Sequence, residues 1–171
     1  MEQIINKVAE SGIITLDLTP FLPAEETLAA FDLKPFLFRE MILREKDYRA
    51  ALQTFDWQQY TGKHVAIFCS TDAIIPVWAY MLAASNLRAV ALSVYVGPVS
   101  AMTDHIISEV LGDIDLAEYT DQRVVLKGCG DVPVPESAYV AATFRLQPVV
   151  RSIMYGEPCS TVPVFKKARA V

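Results

Sequence analysis

The sequence predicts a single α/β domain of three layers, with a mostly parallel central sheet and a small N-terminal strand extension. Three observations lead there. Short apolar runs at 64–69 (HVAIFC), 88–97 (RAVALSVYVG) and 123–128 (RVVLKG) are each followed by helical signals. Apolar strands alternating with helices read as a parallel sheet covered on both faces. A length of 171 residues suffices for one domain that buries its own core without disulfide staples. No repeat, low-complexity segment or Gly/Ser-rich linker divides the chain. Residues 1–171 are therefore read as one domain, in which 1–60 supplies strands and an amphipathic helix that pack on a core of 61–171.

The elements follow in order. IITLDL at 13–18 has strand character and ends before Pro20 and Pro23. FDLKPFL at 31–37 reads as a second short strand, with Pro35 suiting an edge. These two strands would extend one side of the sheet, in antiparallel sense. From 38 to 55, Met41, Ile42, Leu43, Tyr48, Leu52 and Phe55 recur at helical spacing opposite Arg44, Glu45, Lys46, Asp47 and Arg49. That pattern predicts an amphipathic helix on the outside of the domain. Asp56, Trp57 and Tyr60 read as a packed turn, although an exposed Trp57 would serve to anchor a partner.

After the strand at 64–69, Ser70, Thr71 and Asp72 supply capping oxygens for a helix over 72–86 that is apolar nearly all round. A buried central helix is the expectation. The strand at 88–97 closes at Gly97-Pro98, and a helix follows over 99–111. Beyond the strand at 123–128, Pro135-Glu136-Ser137 opens a final helix reaching Tyr155, with Pro148 as the point where it would kink. Thr161–Phe165 is strand-like and suits a sheet edge or another subunit.

Composition excludes several classes. The chain is 53% hydrophobic and 20% charged, yet it has no run of the ~18 apolar residues that a membrane span needs. The excess apolar surface is expected to serve a homodimer interface. A net charge of −5 and a pI near 5.0 argue against nucleic-acid binding, which shows a basic patch. The basic cluster Lys166, Lys167 and Arg169 reads as a solvated end. The N-terminus, MEQIINKVAESG, has no basic region followed by an apolar block, so it does not resemble a signal peptide. Three scattered cysteines argue against a secreted disulfide framework and for the reducing cytoplasm.

The cysteines are the main chemical candidates. Cys69 ends the first core strand and Cys129 follows the third, between Gly128 and Gly130. In a parallel sheet both would sit on the rim where open α/β folds bind ligands. Cys159 joins them only if the chain returns after Gly156. Thiolates are soft ligands for zinc or for iron in iron–sulfur clusters, and Asp72, Asp131, Glu136, Glu157 or His105 could complete a coordination sphere. The signal lacks CxxC spacing, and cysteine is often simply a small buried hydrophobe. Gly128, Gly130, Asp131 and Glu136 together resemble an anion-cradling turn but match neither phosphate-loop pattern. A Cys–His nucleophile pair is disfavoured, because His64 lies at the far end of the strand from Cys69 and His105 falls mid-helix.

Taken whole, the sequence resembles an uncharacterised bacterial family, domain of unknown function 2480. The segments carrying the likeness are NKVAESGIITLDL, FDLKPFLFREMILREKDYRAAL, STDAIIPVWAYMLAAS, VVLKGCGDVPVPESAYV and YGEPCSTVPV. The family brings no established activity and no accepted catalytic residues. Its genomic setting is similar to that of iron–sulfur assembly components. The resemblance therefore implies an accessory role in iron–sulfur or metal handling, with Cys129, Cys69 and Cys159 as thiolate ligands or sulfur acceptors and iron–sulfur assembly proteins as partners. Two further readings stand beside it. One is a non-catalytic interaction scaffold with structural cysteines. The other is a small-molecule enzyme whose strand-end cleft is lined by Thr71, Asp72, Asp131 and Glu136.

Overall fold

A computed structural model describes residues 12–127, 133–157 and 160–168. In chain order the strands are β1 (Ile13–Asp17), β2 (Leu28–Asp32), β3 (Leu37–Phe38), β4 (Ile42–Leu43), β5 (His64–Phe68), β6 (Ser93–Val96), β7 (Arg123–Lys127), β8 (Ser152–Glu157) and β9 (Ser160–Lys166). The α-helices are α1 (Glu45–Thr54), α2 (Val77–Leu87), α3 (Met102–Gly112) and α4 (Glu136–Leu146). The class is α/β with mostly parallel pairing, as the alternation of elements predicts. The strands, however, are shared between two principal sheets, in the orders β2-β5-β6 and β1-β7-β8-β9. The chain correspondingly forms two compact units, one of residues 23–105 and one of residues 1–22 with 106–171.

In the unit 23–105, β2 and β6 both run parallel to β5. Phe31 lies beside Ile67 in the β2–β5 register, and Val65 shares that face because side chains alternate along a strand. Tyr48 and Leu52 of α1 and Ala79, Ala83 and Leu87 of α2 pack there in one cluster. Alanines at i and i+4 let α2 approach the sheet closely. Around Phe31 the rings of Phe36, Phe55, Trp57 and Tyr60 lie 5.3–6.2 Å away, centroid to centroid.

The other unit follows the same plan. Strand β1 runs parallel to β7, and β7 to β8, while β9 adds an antiparallel edge. Leu16, Val124, Leu126 and Ile153 cluster with Ile107 and Leu111 of α3 and with Ala138, Ala142 and Leu146 of α4.

The likeness extends to single residues, so the expectation of a chain without repeats is corrected. DLTPFL at 17–22 matches DLKPFL at 32–37, and one constant, gapless offset carries residues 43–98 onto 102–157. That offset superposes Leu52 on Leu111, Asp56 on Asp115, Tyr60 on Tyr119, Ala79 on Ala138, Ala83 on Ala142 and Gly97 on Gly156. The hydrogen bonds repeat with the residues. Asp17 Oδ1 accepts from Thr19 N–H and Asp32 Oδ1 from Lys34 N–H, both at 2.9 Å. Asp56 and Asp115 each cap a short 3-10 turn, at 3.0 and 2.9 Å. Leu18 N–H donates to Lys127 O and Leu33 N–H to Phe68 O, both at 2.8 Å. The chain therefore carries two copies of one β-α-β-α-β unit. The unit 23–105 is nested in sequence after β1, the first strand of the other.

Several expected elements move. The helix over 38–55 begins only at Glu45, because Arg39 and Glu40 take positive φ values of 53° and 57° and turn β3 back on β4. The helix expected over 72–86 starts at Val77, since Pro76 holds an extended ψ of 140° and disfavours helix at the residue before it. Ser70 is thus not its cap. The final helix ends at Leu146 and residues 152–157 form β8, with Ile153 fully buried. The N-terminal strands pair parallel, one in each sheet.

Candidate functional site

Open α/β sheets offer ligands the carboxyl ends of their strands. In the unit 23–105 that end gathers Asp32, which closes β2, and Ser70, just past β5. Asp32 Oδ1 accepts from the backbone N–H of Lys34 (2.9 Å) and of Ser70 (3.0 Å), and Oδ2 accepts from Ser70 Oγ at 2.6 Å. Desolvation raises the carboxyl pKa, but the Ser70 and Lys34 hydrogen bonds and the Lys34 charge outweigh it and hold Asp32 below the ordinary range. Ser70, expected to cap a helix, instead ties the β5–α2 connection to β2. At the end of β6 the Tyr95 ring lies 4.8 Å from that of His105 on α3.

The equivalent end of the second unit is charged. Asp17 is held below its ordinary pKa first by the Thr19 backbone hydrogen bond, with a further contribution from the Lys127 charge. Lys127 also pairs with Glu157 at 3.7 Å. Gly128, Cys129, Gly130 and Asp131 follow directly on Lys127, but they lie outside the described residues, as does Cys159.

Cys69 is partly buried and packs against the aromatic and aliphatic cluster under β2 and β5. Its charge adds to burial in pushing the Tyr80 phenol pKa upward, burial being the larger cause. β5 and β7 belong to different sheets, so the rim of a single sheet does not supply the expected pairing of Cys69 with Cys129. Among the described residues, no three His, Cys, Asp or Glu side chains group as a metal site would require. Of the residues expected to line an enzyme cleft, Thr71 and Asp72 belong to one unit and Glu136 to the other.

Glu136, at the start of α4, borders an open apolar groove of about 790 Å³ with Leu126, Tyr139, Val140, Phe144, Tyr155 and Val164. Phe144 stands 85% exposed at its edge, and Val140 is exposed beside it. The repeat places Ile74, just before α2, and Val77 and Met81 on it where Pro133, Glu136 and Val140 stand before and on α4. Ile74 is 92% exposed, and Val77 and Met81 are exposed too. The outer faces of α2 and α4 thus carry large apolar side chains where a solvated helix is normally polar. Sequence reasoning missed this because an all-apolar helix reads as buried. Trp57 sits in the packed turn that the sequence predicts, half-buried against Phe31 and Phe55, with its Nε1 donating to Leu52 O at 3.1 Å.

No described helix is long and apolar enough to cross a membrane. Among protein families, the model described as "Protein of unknown function (DUF2480)" matches residues 2–167. Comparison with curated proteins and with solved structures finds no match.

Proposed function

The chain belongs to the DUF2480 family of unknown function, so we propose its role from its own residues: a non-catalytic binding protein that acts by association, first as a homodimer. The observation that carries this reading is the α4 face. A protruding Phe144 stands beside a groove lined by Leu126, Tyr139, Tyr155 and Val164. A knob next to a hole on one surface is self-complementary, and a two-fold axis lets each copy insert its Phe144 into the groove of the other. Aromatic anchors seated in apolar pockets dominate the energetics of such interfaces.

Sedimentation velocity tests this. The parent chain is expected to sediment as a dimer. Phe144→Glu is expected to be monomeric with an unchanged far-ultraviolet circular dichroism spectrum, since the side chain is not part of the core. A monomeric parent, or a Phe144→Glu variant that remains dimeric, overturns the reading.

A second reading is accessory metal or iron–sulfur handling in the cytoplasm, where thiols stay reduced. What favours it is the position of the connection from β7 to α4. It leaves the carboxyl end of a parallel strand and carries Cys129 between two glycines, with Asp131 and Glu136 following. Cys129 would act there as thiolate ligand or sulfur acceptor, joined by Cys69 and Cys159, with zinc or iron as the ion and iron–sulfur assembly proteins as partners. Metal and acid-labile sulfide are measured in protein purified without air, beside Cys129→Ser. Near-stoichiometric metal that is lost in the variant supports this reading. A metal-free parent ends it.

A further inference from the structure

A cavity of about 610 Å³ lies at the amino ends of β7 and β8, beside the last residues of β9. Its lining includes Arg123, Arg151, Lys166 and Lys167, with Asp121 as the acidic member and Met154, Pro163 and Phe165 as the apolar part. Four cations against one carboxylate reverse the local charge of a chain whose net charge is −5. Lys167 is paired with Asp121 at 3.5 Å, and Arg123, Arg151 and Lys166 line the same concave surface. Like charges gathered in this way repel one another, and a cleft lined with one sign of charge focuses its field on a counter-ion.

The backbone fixes this cluster in place. Arg151 N–H donates to Gln122 O at 2.7 Å, and Arg151 O accepts from Lys167 N–H at 2.9 Å. Arg123 faces Ser152 in the β7–β8 register, and Ser152 faces Lys166 across the antiparallel pair. The repeat shows that the cluster is no general property of the unit. The equivalents of Arg123, Arg151 and Asp121 in the unit 23–105 are His64, Leu92 and Gly62, and its sheet, β2-β5-β6, has no counterpart of β9. His64 there faces its own Ser93, with Nδ1 2.8 Å from Oγ.

We propose that this cavity is a binding site for a small organic dianion, with an oxyanion group held by Arg123 and Arg151 and an apolar body laid on Met154, Pro163 and Phe165. The planar guanidinium fork matches a phosphate or a carboxylate in bidentate geometry. The volume lies in the range of small-molecule sites, and the mixture of cations with an apolar floor excludes a bare inorganic ion as the best fit. The site is independent of the α4 groove and of the cysteine-bearing connections.

Isothermal titration calorimetry on the whole chain at low salt tests the assignment. The probes are phenyl phosphate, isophthalate, inorganic phosphate and benzyl alcohol. One of the two aromatic dianions is expected to bind with one-to-one stoichiometry, and the tighter of the pair tells whether the head group is phosphate or carboxylate. Inorganic phosphate and benzyl alcohol are each expected to bind at least about tenfold more weakly, since each supplies half of the recognition. Arg151→Gln and Arg123→Gln, checked for native circular dichroism, are each expected to weaken the dianion about tenfold or more. Absence of saturable heat with both aromatic dianions overturns the proposal. So does affinity unchanged in Arg151→Gln, or inorganic phosphate binding as tightly as phenyl phosphate.

Discussion

Removing the carboxylate of Asp32 should cost more than removing that of Asp17, although the two residues hold equivalent places. Each side chain closes the turn after its strand by accepting a backbone N–H two residues on, at 2.9 Å. Loss of a cap of this kind costs ~1 kcal/mol. Asp32 accepts two more hydrogen bonds, from Ser70 N–H at 3.0 Å and Ser70 Oγ at 2.6 Å. At ~0.5–1.5 kcal/mol each, cut by roughly half because the group is largely open to solvent, these add ~1 kcal/mol. The expected destabilisation at neutral pH is therefore ~2 kcal/mol for Asp32→Ala and ~1 kcal/mol for Asp17→Ala. Both carboxyls have folded-state pKa values lowered from 3.8. Their contribution is then fully present above the unfolded-state pKa and is lost as pH falls below it, through the folded value. Urea unfolding of the parent and both alanine variants at neutral pH and near pH 3 reads the two effects. The stability gap between parent and Asp32→Ala should narrow on acidification. Equal losses for the two variants at neutral pH, or a gap that does not change with pH, would refute the reasoning.

Four further substitutions have outcomes set by the packing. Phe31→Ala should destabilise by ~3–5 kcal/mol in thermal or urea unfolding, because Phe31 is buried and central to four ring contacts. Gly156→Ala should cost ~2 kcal/mol or more, since its φ is +120° and a Cβ would stand 2.6 Å from Ser160 O. Gly62→Ala should cost only ~1 kcal/mol, with φ +69° and open space around it; the same denaturation assay ranks the two. Met81→Glu, on the exposed face of α2, should leave the melting temperature within a degree or two of the parent, which differential scanning calorimetry checks.

The strands at 13–17, 64–68 and 123–127 were legible in the sequence, because each is a short apolar run closed by a change of composition. Pro76 and Pro135 fix the starts of α2 and α4 by the same local rule, each extended and immediately before its helix. Strand β8 was hidden. Ile153, Met154 and Tyr155 continue an apolar pattern that runs on from α4, and only the turn at 147–150 separates helix from strand. The repeat was hidden for a different reason. The core-packing positions filled by Phe31, Tyr48, Phe55 and Trp57 in one unit are filled by Leu16, Ile107, Ile114 and Leu116 in the other. An aromatic core and an aliphatic core satisfy the same backbone, so residue identity and volume diverge while the polarity pattern persists. What survives is the set that the backbone itself requires: Asp in the turn, alanine where helix meets sheet, glycine at positive φ. The cationic cavity is illegible in the sequence because Arg151 continues the helical pattern of α4 while Lys166 and Lys167 read as a solvated tail. Only the pairing of β8 with β9 brings them beside Arg123.

Each unit is a complete copy of one fold, and residues 23–105 are the copy that is continuous in sequence. The most direct measurement is urea unfolding of that segment expressed alone, followed by circular dichroism. A single cooperative transition from a spectrum with both helix and strand is the expected result. A spectrum of unfolded chain with no transition would contradict the account.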